Sequence, residues 1–373
     1  MLPIIPGGAP DPCPPMPLVT PQVTRAGTWL LRSGIQRPNG GVARYYVADQ
    51  ERHLPVSTEI TGYTVSALVY LHSLTKDEAY LERASAAAQF LAHTAWDPVS
   101  RTMPYDIGPP TYTYFFDCGI VIRGLLAAWR ATGVEGYLAR AAAVGKSIAT
   151  DFAGAGDYHP ILALPGKRPV ERDSLTWSRS PGCYQLKAAM GWWDLWEATG
   201  DTHFRDLYDG VLAESLRTWT GFLPGHPDRL KVVDRLHAFL YFLEGLLPRA
   251  GEARCAAVLR EGIAMAATRA RSLAPEFERS DVYAQLLRIR LYADAAGVEP
   301  LDRDAAGCEA LRLAEFQVSD SDPRLDGGFR FGRRPGGAIP HVNPVSTCFA
   351  LQALELWETY GDGAAQPQRH LLI

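Results

Sequence analysis

The sequence predicts an all-α chain, a closed (α/α)6 barrel of six helical hairpins with the long loops on one face. Three observations lead there: a repeated turn signature, an alternation of two helix types, and a segment that occurs near both ends of the chain. The signature is Thr75-Lys76-Asp77, Thr132-Gly133-Val134 and Thr199-Gly200-Asp201, each leading to an aromatic residue at Tyr80, Tyr137 or Phe204. Its threonines are 57 and 67 residues apart, a period that signals stacked supersecondary units. Each turn is a helix stop followed at once by a helix start. Gly133 or Gly200 can take the left-handed C-terminal position, and Asp77 or Asp201 can accept the first free amides.

In chain order, Met1 to Pro21 reads as a proline-rich arm, because it lacks the charged start and sustained apolar run of a secretory signal. Outer helices are expected to begin near residues 22, 78, 135, 203, 252 and 304, and inner ones near 60, 118, 183, 235, 281 and 345. The inner type is apolar on nearly every side, as in Gly119 to Trp129 or His237 to Leu247. The outer type is amphipathic, with Tyr80, Ala84, Ala88 and Leu91 on one stripe. Inner-to-outer turns are tight. Outer-to-inner connections are long, at about 35–59, 95–117, 152–182, 220–234, 273–280 and 318–344. All long loops therefore gather where inner helices start, and six partly positive helix ends point there.

The duplicated segment ties the chain ends together. Trp29 to Gln36, Gly40-Gly41, Tyr45-Tyr46 and Ser57 to Leu71 parallel Leu313 to Gln317, Gly327-Gly328, Phe329 to Phe331 and Asn343 to Leu356. If the ring closes, the two copies lie side by side. The toroidal domain is expected over residues 22–362, followed by a tail over 363–373.

With 47% hydrophobic and 21% charged residues and a formal charge of -4, the chain has no general attraction for nucleic acid or anionic membrane. No apolar run is long enough for a membrane span; Arg123 interrupts the closest, Gly119 to Trp129. The cysteines at 13, 118, 183, 255, 308 and 348 are far apart and form no CxxC pair, which suggests reduced thiols and a cytoplasmic location. There is no phosphate-binding glycine loop and no dinucleotide fingerprint, so no cofactor is expected. No feature sets an oligomeric state.

From about Gln22 to Tyr360 the turn signature, the Gly-Gly-aromatic segments and the helix alternation resemble the six-hairpin glycosidase-like (α/α)6 toroid superfamily. A fainter likeness to terpenoid-cyclase repeats runs from Gln317 to Phe329, but the DxDD acid motif of those enzymes is absent. The superfamily resemblance implies carbohydrate chemistry and a carbohydrate substrate. It embraces glycoside hydrolases, polysaccharide lyases and sugar epimerases, and it assigns no role to any single residue.

Acidic residues recur at inner-helix starts: Glu59, Asp117, Asp234 and Asp281. Glycoside hydrolysis needs two carboxylates, one protonated donor and one base or nucleophile. The sequence nominates Glu59, Asp117 and Asp281 as the source of that pair, with Asp117 as the acid. Aspartate at a helix start is equally a routine cap, whereas glutamate is a poorer one. Asp117 follows Tyr112, Tyr114, Phe115 and Phe116, an aromatic wall that could stack on sugar faces and raise a carboxyl pKa, or simply pack the core. Arg44, Tyr45, Trp177, Arg179, Arg279 and Arg330 fall in the same loops and suit an acidic or richly hydroxylated glycan, exopolysaccharide included, although loop arginines are often only solvated.

A lyase or epimerase would instead take a proton next to a uronate carboxyl. His237, His341 or Tyr63 could be the base there, and Asn343 or Arg330 could neutralise the carboxylate. Cys118, Cys183 and Cys348 lie at matching inner-helix starts and with His237 could form a zinc tetrad, but no close ligand pair is present, so no metal is expected. A third possibility is a non-catalytic glycan-binding or scaffold protein of a polysaccharide pathway.

Overall fold

The computed structural model describes residues 20–108, 111–360 and 367–373. Residues 1–19 of the proline-rich arm, with Cys13, and residues 361–366 around the domain's end lie outside the described residues. Twelve α-helices are present among those described: α1 (Pro21–Arg32), α2 (Thr58–Thr75), α3 (Glu78–Gln89), α4 (Phe115–Thr132), α5 (Glu135–Asp151) and α6 (Gln185–Thr199) in the first half. The second half holds α7 (Thr202–Thr218), α8 (Arg229–Gly245), α9 (Ala253–Leu273), α10 (Ser280–Ala295), α11 (Arg303–Ala314) and α12 (Pro344–Thr359). Even-numbered helices form the inner ring and odd-numbered ones clad it, so the chain is an (α/α)6 toroid. α4 is buried without interruption from Phe115 to Ala128, whereas α3 buries only Tyr80, Ala84, Ala87 and Ala88 on one stripe.

The hairpin turns follow their local chemistry. Gly133 and Gly200 sit at φ 71° and 73° and donate their N–H groups to Trp129 and Trp196 at 2.8 Å. Lys76 takes the same left-handed position at φ 59°. Asp77 and Asp201 each accept an amide of the following helix at 3.0 Å. The turn threonines donate their hydroxyls four residues back, at 2.7 Å in the second and third turns.

The duplicated segment repeats atom by atom. Gln36 Nε2 donates to the Gly40 carbonyl at 3.1 Å and to Arg83 at 2.9 Å; Gln317 Nε2 donates to Gly327 at 3.0 Å and to Gln22 at 2.8 Å. Val42 donates its N–H to Thr61 Oγ1, and Phe329 to Thr347 Oγ1, both at 2.9 Å. Gly40 and Gly327 have φ of 91° and 86°, and a Cβ on either would lie 2.3 Å from a main-chain oxygen of an outer helix.

Short strands staple the long loops: β1 (Tyr46–Val47), β2 (Arg52–His53), β3 (Tyr112–Tyr114), β4 (Ile161–Ala163), β5 (Arg168–Pro169), β6 (Glu278–Arg279), β7 (Gly332–Arg334), β8 (Gly337–Ala338) and β9 (His341–Val342). They form three antiparallel sheets, β2-β1-β9, β3-β4-β5 and β6-β7-β8. The β1–β9 pairing, Tyr46 opposite Val342, joins the two copies of the duplicated segment, and α12 packs against both α1 and α2 to close the ring.

Neighbouring inner helices approach through glycine. A Cβ on Gly119 would meet the Ala188 carbonyl oxygen at 2.4 Å and its Cα at 2.5 Å, and one on Gly124 would meet the Gly62 oxygen at 2.6 Å. Gly119→Ala should therefore destabilise the protein by about 3 kcal/mol through overpacking against backbone that cannot swing away. A shift of the urea midpoint no larger than that of a surface alanine substitution would show that the inner ring gives way.

One boundary differs from expectation. α8 begins at Arg229, because Asp228 accepts the Leu230 amide at 2.9 Å and so caps the helix six residues ahead of Asp234. The last connection before α8 is correspondingly shorter, and Asp234 lies inside the helix.

The axis is closed from the opposite end by residues 367–373. The Ile373 main-chain oxygen accepts from Lys187 Nζ at 3.0 Å and Arg288 Nη1 at 3.1 Å, while Gln352 brackets the segment through Ile373 N–H at 3.0 Å and the Leu371 oxygen at 2.7 Å. Arg369 pairs with Asp194 at 2.6 Å. No described helix is long and apolar enough to cross a membrane.

Candidate functional site

Several inner helices carry a polar side chain near the long-loop face with a second polar partner four residues on. Glu59 and Tyr63 on α2, His237 and Tyr241 on α8, and Asp281 and Gln285 on α10 are such pairs, each on one helix face. Two turns beyond His237 and Asp281, the fully buried Glu244 and Arg288 pair with each other, and Lys187 joins them at 2.8 Å from Glu244. A buried ion cluster thus lies two turns below the polar groups of α8 and α10.

Glu59 is not a cap: Ser57 Oγ takes that role toward the Ile60 amide at 3.5 Å. Its half-buried carboxyl has no cation within 4 Å among the described residues, and burial pushes its pKa up to about 7 despite the opposing pull of Arg44. Asp117 is the third residue of α4, whose N-cap position, Tyr114, makes no side-chain capping bond. Asp117 is only 5% exposed, and its Oδ2 is buried without a hydrogen-bond partner. Burial raises its pKa well above the carboxylate range, and the Glu59 charge raises it further. Two neighbouring carboxyls in this setting hold at least one proton at neutral pH.

Arg44 lies beside this pair, its guanidinium 4.5 Å from the centre of the Tyr105 ring. Tyr105 in turn leans on Tyr114, with ring centres 5.0 Å apart. Tyr63 Oη is buried without a partner next to Tyr241, whose ring packs on Phe116 at 4.6 Å. The expected aromatic wall therefore divides: Tyr114 faces the cleft side with Tyr105, Tyr112 is 42% exposed, and Phe115 packs outward into the core against Phe152 and Trp192. The run of rings crosses from β3 into the first turn of α4, where the side-chain direction changes from strand to helix, so it does not form one wall.

Asp281 does not join the other two carboxyls. Arg279 grips it with two hydrogen bonds, Nε to Oδ1 at 2.9 Å and Nη2 to Oδ2 at 2.5 Å, and also reaches Asp234 at 2.9 Å. Burial would raise the Asp281 pKa, but the Arg279 guanidinium outweighs it and holds the carboxyl below its ordinary range. It is a poor proton donor. His237 Nδ1 lies 2.7 Å from Gln285 Oε1 and 3.6 Å from Asp281, with its ring edge-on to Tyr241 at 4.4 Å. Burial drives its pKa down to about 4, so the ring is neutral at pH 7. Because Gln285 Oε1 only accepts, Nδ1 carries the proton and Nε2 is left as a free acceptor.

Other nominated residues have different occupations. Asn343 Oδ1 accepts the Val345 amide at 2.9 Å and caps α12. His341 stacks on Tyr45 at 4.6 Å on β9 at the rim. Trp177 and Arg179 lie on a short turn: Trp177 meets Tyr184 edge-on at 4.9 Å, and Arg179 donates to the Glu171 carbonyl at 3.1 Å. Arg330 is half-buried, and its main-chain oxygen accepts from Ser280 Oγ at 2.7 Å. Cys118, Cys183 and Cys348 are buried and do not converge with His237; among the described residues no three His, Cys, Asp or Glu side chains are grouped to hold a metal. Sequence reasoning missed Tyr105, Tyr241, Gln285 and Arg235. The i to i+4 spacing from His237 and Asp281 could have found Tyr241 and Gln285.

No protein-family model matches the sequence, and no curated protein matches it. Among solved structures the chain is similar to a sugar epimerase from a ruminal bacterium, with TM-score 0.69 and 13% identity over 93% of this chain and 98% of that one. It is also similar to cellobiose 2-epimerase from Spirochaeta thermophila DSM 6192, with TM-score 0.67 and 16% identity over 89% and 93% of the two chains. A third is a GH76 α-mannanase from Bacteroides thetaiotaomicron, with TM-score 0.58 and 11% identity over 88% and 95%. At such identities the likeness establishes the fold: the six-hairpin toroid read from the sequence is the fold of the chain.

Proposed function

We propose that this chain is a carbohydrate-processing enzyme that hydrolyses a glycosidic bond, with Asp117 as proton donor and Glu59 as the partner carboxylate. The observation that carries this is the unbridged Glu59–Asp117 pair, with one buried Asp117 oxygen left without a partner. A carboxyl kept protonated by burial can give its proton to the leaving glycosidic oxygen. The neighbouring carboxylate then acts as base or nucleophile as the anomeric carbon takes on positive charge, and water completes the cleavage. Tyr105 and Tyr114 offer ring faces for a pyranose. A saccharide substrate is further supported by the fold neighbours, two sugar epimerases and a mannanase.

A second reading rests on His237. A neutral imidazole with Nδ1 bonded to Gln285 and Nε2 free is arranged to take a proton from a sugar carbon, as an epimerase or lyase requires. One pair of incubations separates the readings. Neutral and uronate-containing oligosaccharides are turned over in ¹⁸O-water and, in parallel, in D₂O, and the products are weighed by mass spectrometry. Hydrolysis is expected to place one ¹⁸O in a shortened sugar with no carbon-bound deuterium. Deuterium on carbon without gain of water would transfer the chemistry to His237, and sugars bound but unchanged would leave a binding protein.

A further inference from the structure

Several arginines of the long-loop face have no carboxylate partner among the described residues, although the chain as a whole is negative at -4. Arg279 is consumed by Asp281 and Asp234. Three other arginines around the site have no carboxylate within 4 Å among the described residues. Arg235 donates to the main-chain oxygens of Phe222 at 3.1 Å and Ser174 at 3.2 Å. Arg179 donates to the Glu171 oxygen at 3.1 Å and keeps a buried Nε without a partner. Arg44 makes no side-chain hydrogen bond at all among those residues; it rests on the Tyr105 ring with its edge free, next to Glu59 and Asp117.

From the unbonded Arg44 guanidinium, held on the Tyr105 ring beside the two carboxyls, we infer that the site takes an acidic sugar, and that Arg44 selects it by pairing with the carboxylate of a uronic acid unit next to the bond the enzyme acts on. The inference rests on the saccharide reading above and narrows it. A guanidinium resting on an aromatic face presents its remaining N–H groups in one plane, the geometry that grips a carboxylate through two parallel hydrogen bonds. A neutral hydroxymethyl group would fill only one of those donors and leave the charge unmatched in a partly desolvated cleft. The Tyr105 ring fixes the plane of the fork, so the choice is made by a pre-oriented group.

The test is calorimetric titration of the full chain with matched disaccharides that differ only in the carboxylate. The probes are β-D-glucuronosyl-(1→4)-glucose against cellobiose, and the α-linked glucuronosyl counterpart of maltose against maltose. At low salt, one uronate is expected to bind about tenfold more tightly than its neutral twin, and Arg44→Gln should cut that ratio below about twofold. Arg44→Lys should keep part of the ratio, because it retains the charge and loses the fork. Should Arg44→Gln fail to fold, the wild-type preference must still collapse on raising NaCl, as charge pairing at a water-accessible site does. Equal affinity within both pairs, a preference untouched by Arg44→Gln or by salt, or no binding of any of the four sugars overturns the inference. Uronate preference without cleavage would sink only the hydrolase reading, and cleavage of neutral sugars without preference only this one.

Discussion

Asp117→Asn is expected to lower turnover by about 10²–10⁴-fold, the range a positioned general acid contributes, while the protein becomes more stable above neutral pH. The stability gain follows from the direction of the pKa shift. A carboxyl whose folded pKa lies above its unfolded value binds more protons when folded, so its contribution to stability is present at low pH and is lost as pH rises toward the folded pKa. Asparagine fills the same space without that liability, so the variant's melting temperature should exceed the wild type's at about pH 8 and approach it near pH 4. The groups facing the pair are Arg44, Tyr63, Tyr105, Tyr114 and Tyr241; the four phenols stay neutral through this range, all with raised pKa values, because burial disfavours their charged forms. With Glu59 titrating at about 7, kcat/KM should rise through neutrality as its carboxylate forms. Loss of activity together with a lower melting temperature at pH 8 would recast Asp117 as a structural residue.

Glu244→Ala is expected to destabilise the protein by about 3–5 kcal/mol, the effect of stripping one partner from a buried ion cluster. Glu244, Lys187 and Arg288 are all fully buried, and Glu244 is the anion common to both cations. Burial raises its pKa, yet Arg288 and Lys187 outweigh that and keep it ionised. Lys187→Met should be far milder near pH 8. Burial lowers the Lys187 pKa to about 7 against the pull of Glu244, so much of its charge is already gone there, and Arg288 still pairs with Glu244. Urea midpoints of the two variants check the contrast. Equal losses would mean that Lys187 carries its full charge in the folded state.

The hairpins were legible because their causes are local. A threonine that closes a helix, a glycine or lysine at positive φ, and an aspartate that caps the next helix all act within about five residues, and they sit where the sequence places them. The start of α8 was misplaced because two aspartates, Asp228 and Asp234, could each serve as a cap, and composition alone does not choose between them. The short sheets were legible only as extended aromatic pieces, since pairing such as Tyr46 with Val342 joins residues from opposite ends of the chain.

By itself the sequence determined the six hairpins, the closure of the ring through the Gln36 and Gln317 segments, and the level at which Glu59, Asp117 and Asp281 stand. Periodicity, capping and steric room at glycine suffice for these, and all are properties of short stretches. Only the tertiary structure decided how those carboxyls are partnered. Asp281 is gripped by Arg279, Asn343 Oδ1 caps α12, and Asp117 keeps an oxygen unpartnered among the described residues. Ionisation depends on desolvation and on the charges of every group packed around a site, and those groups come from helices far apart in the chain.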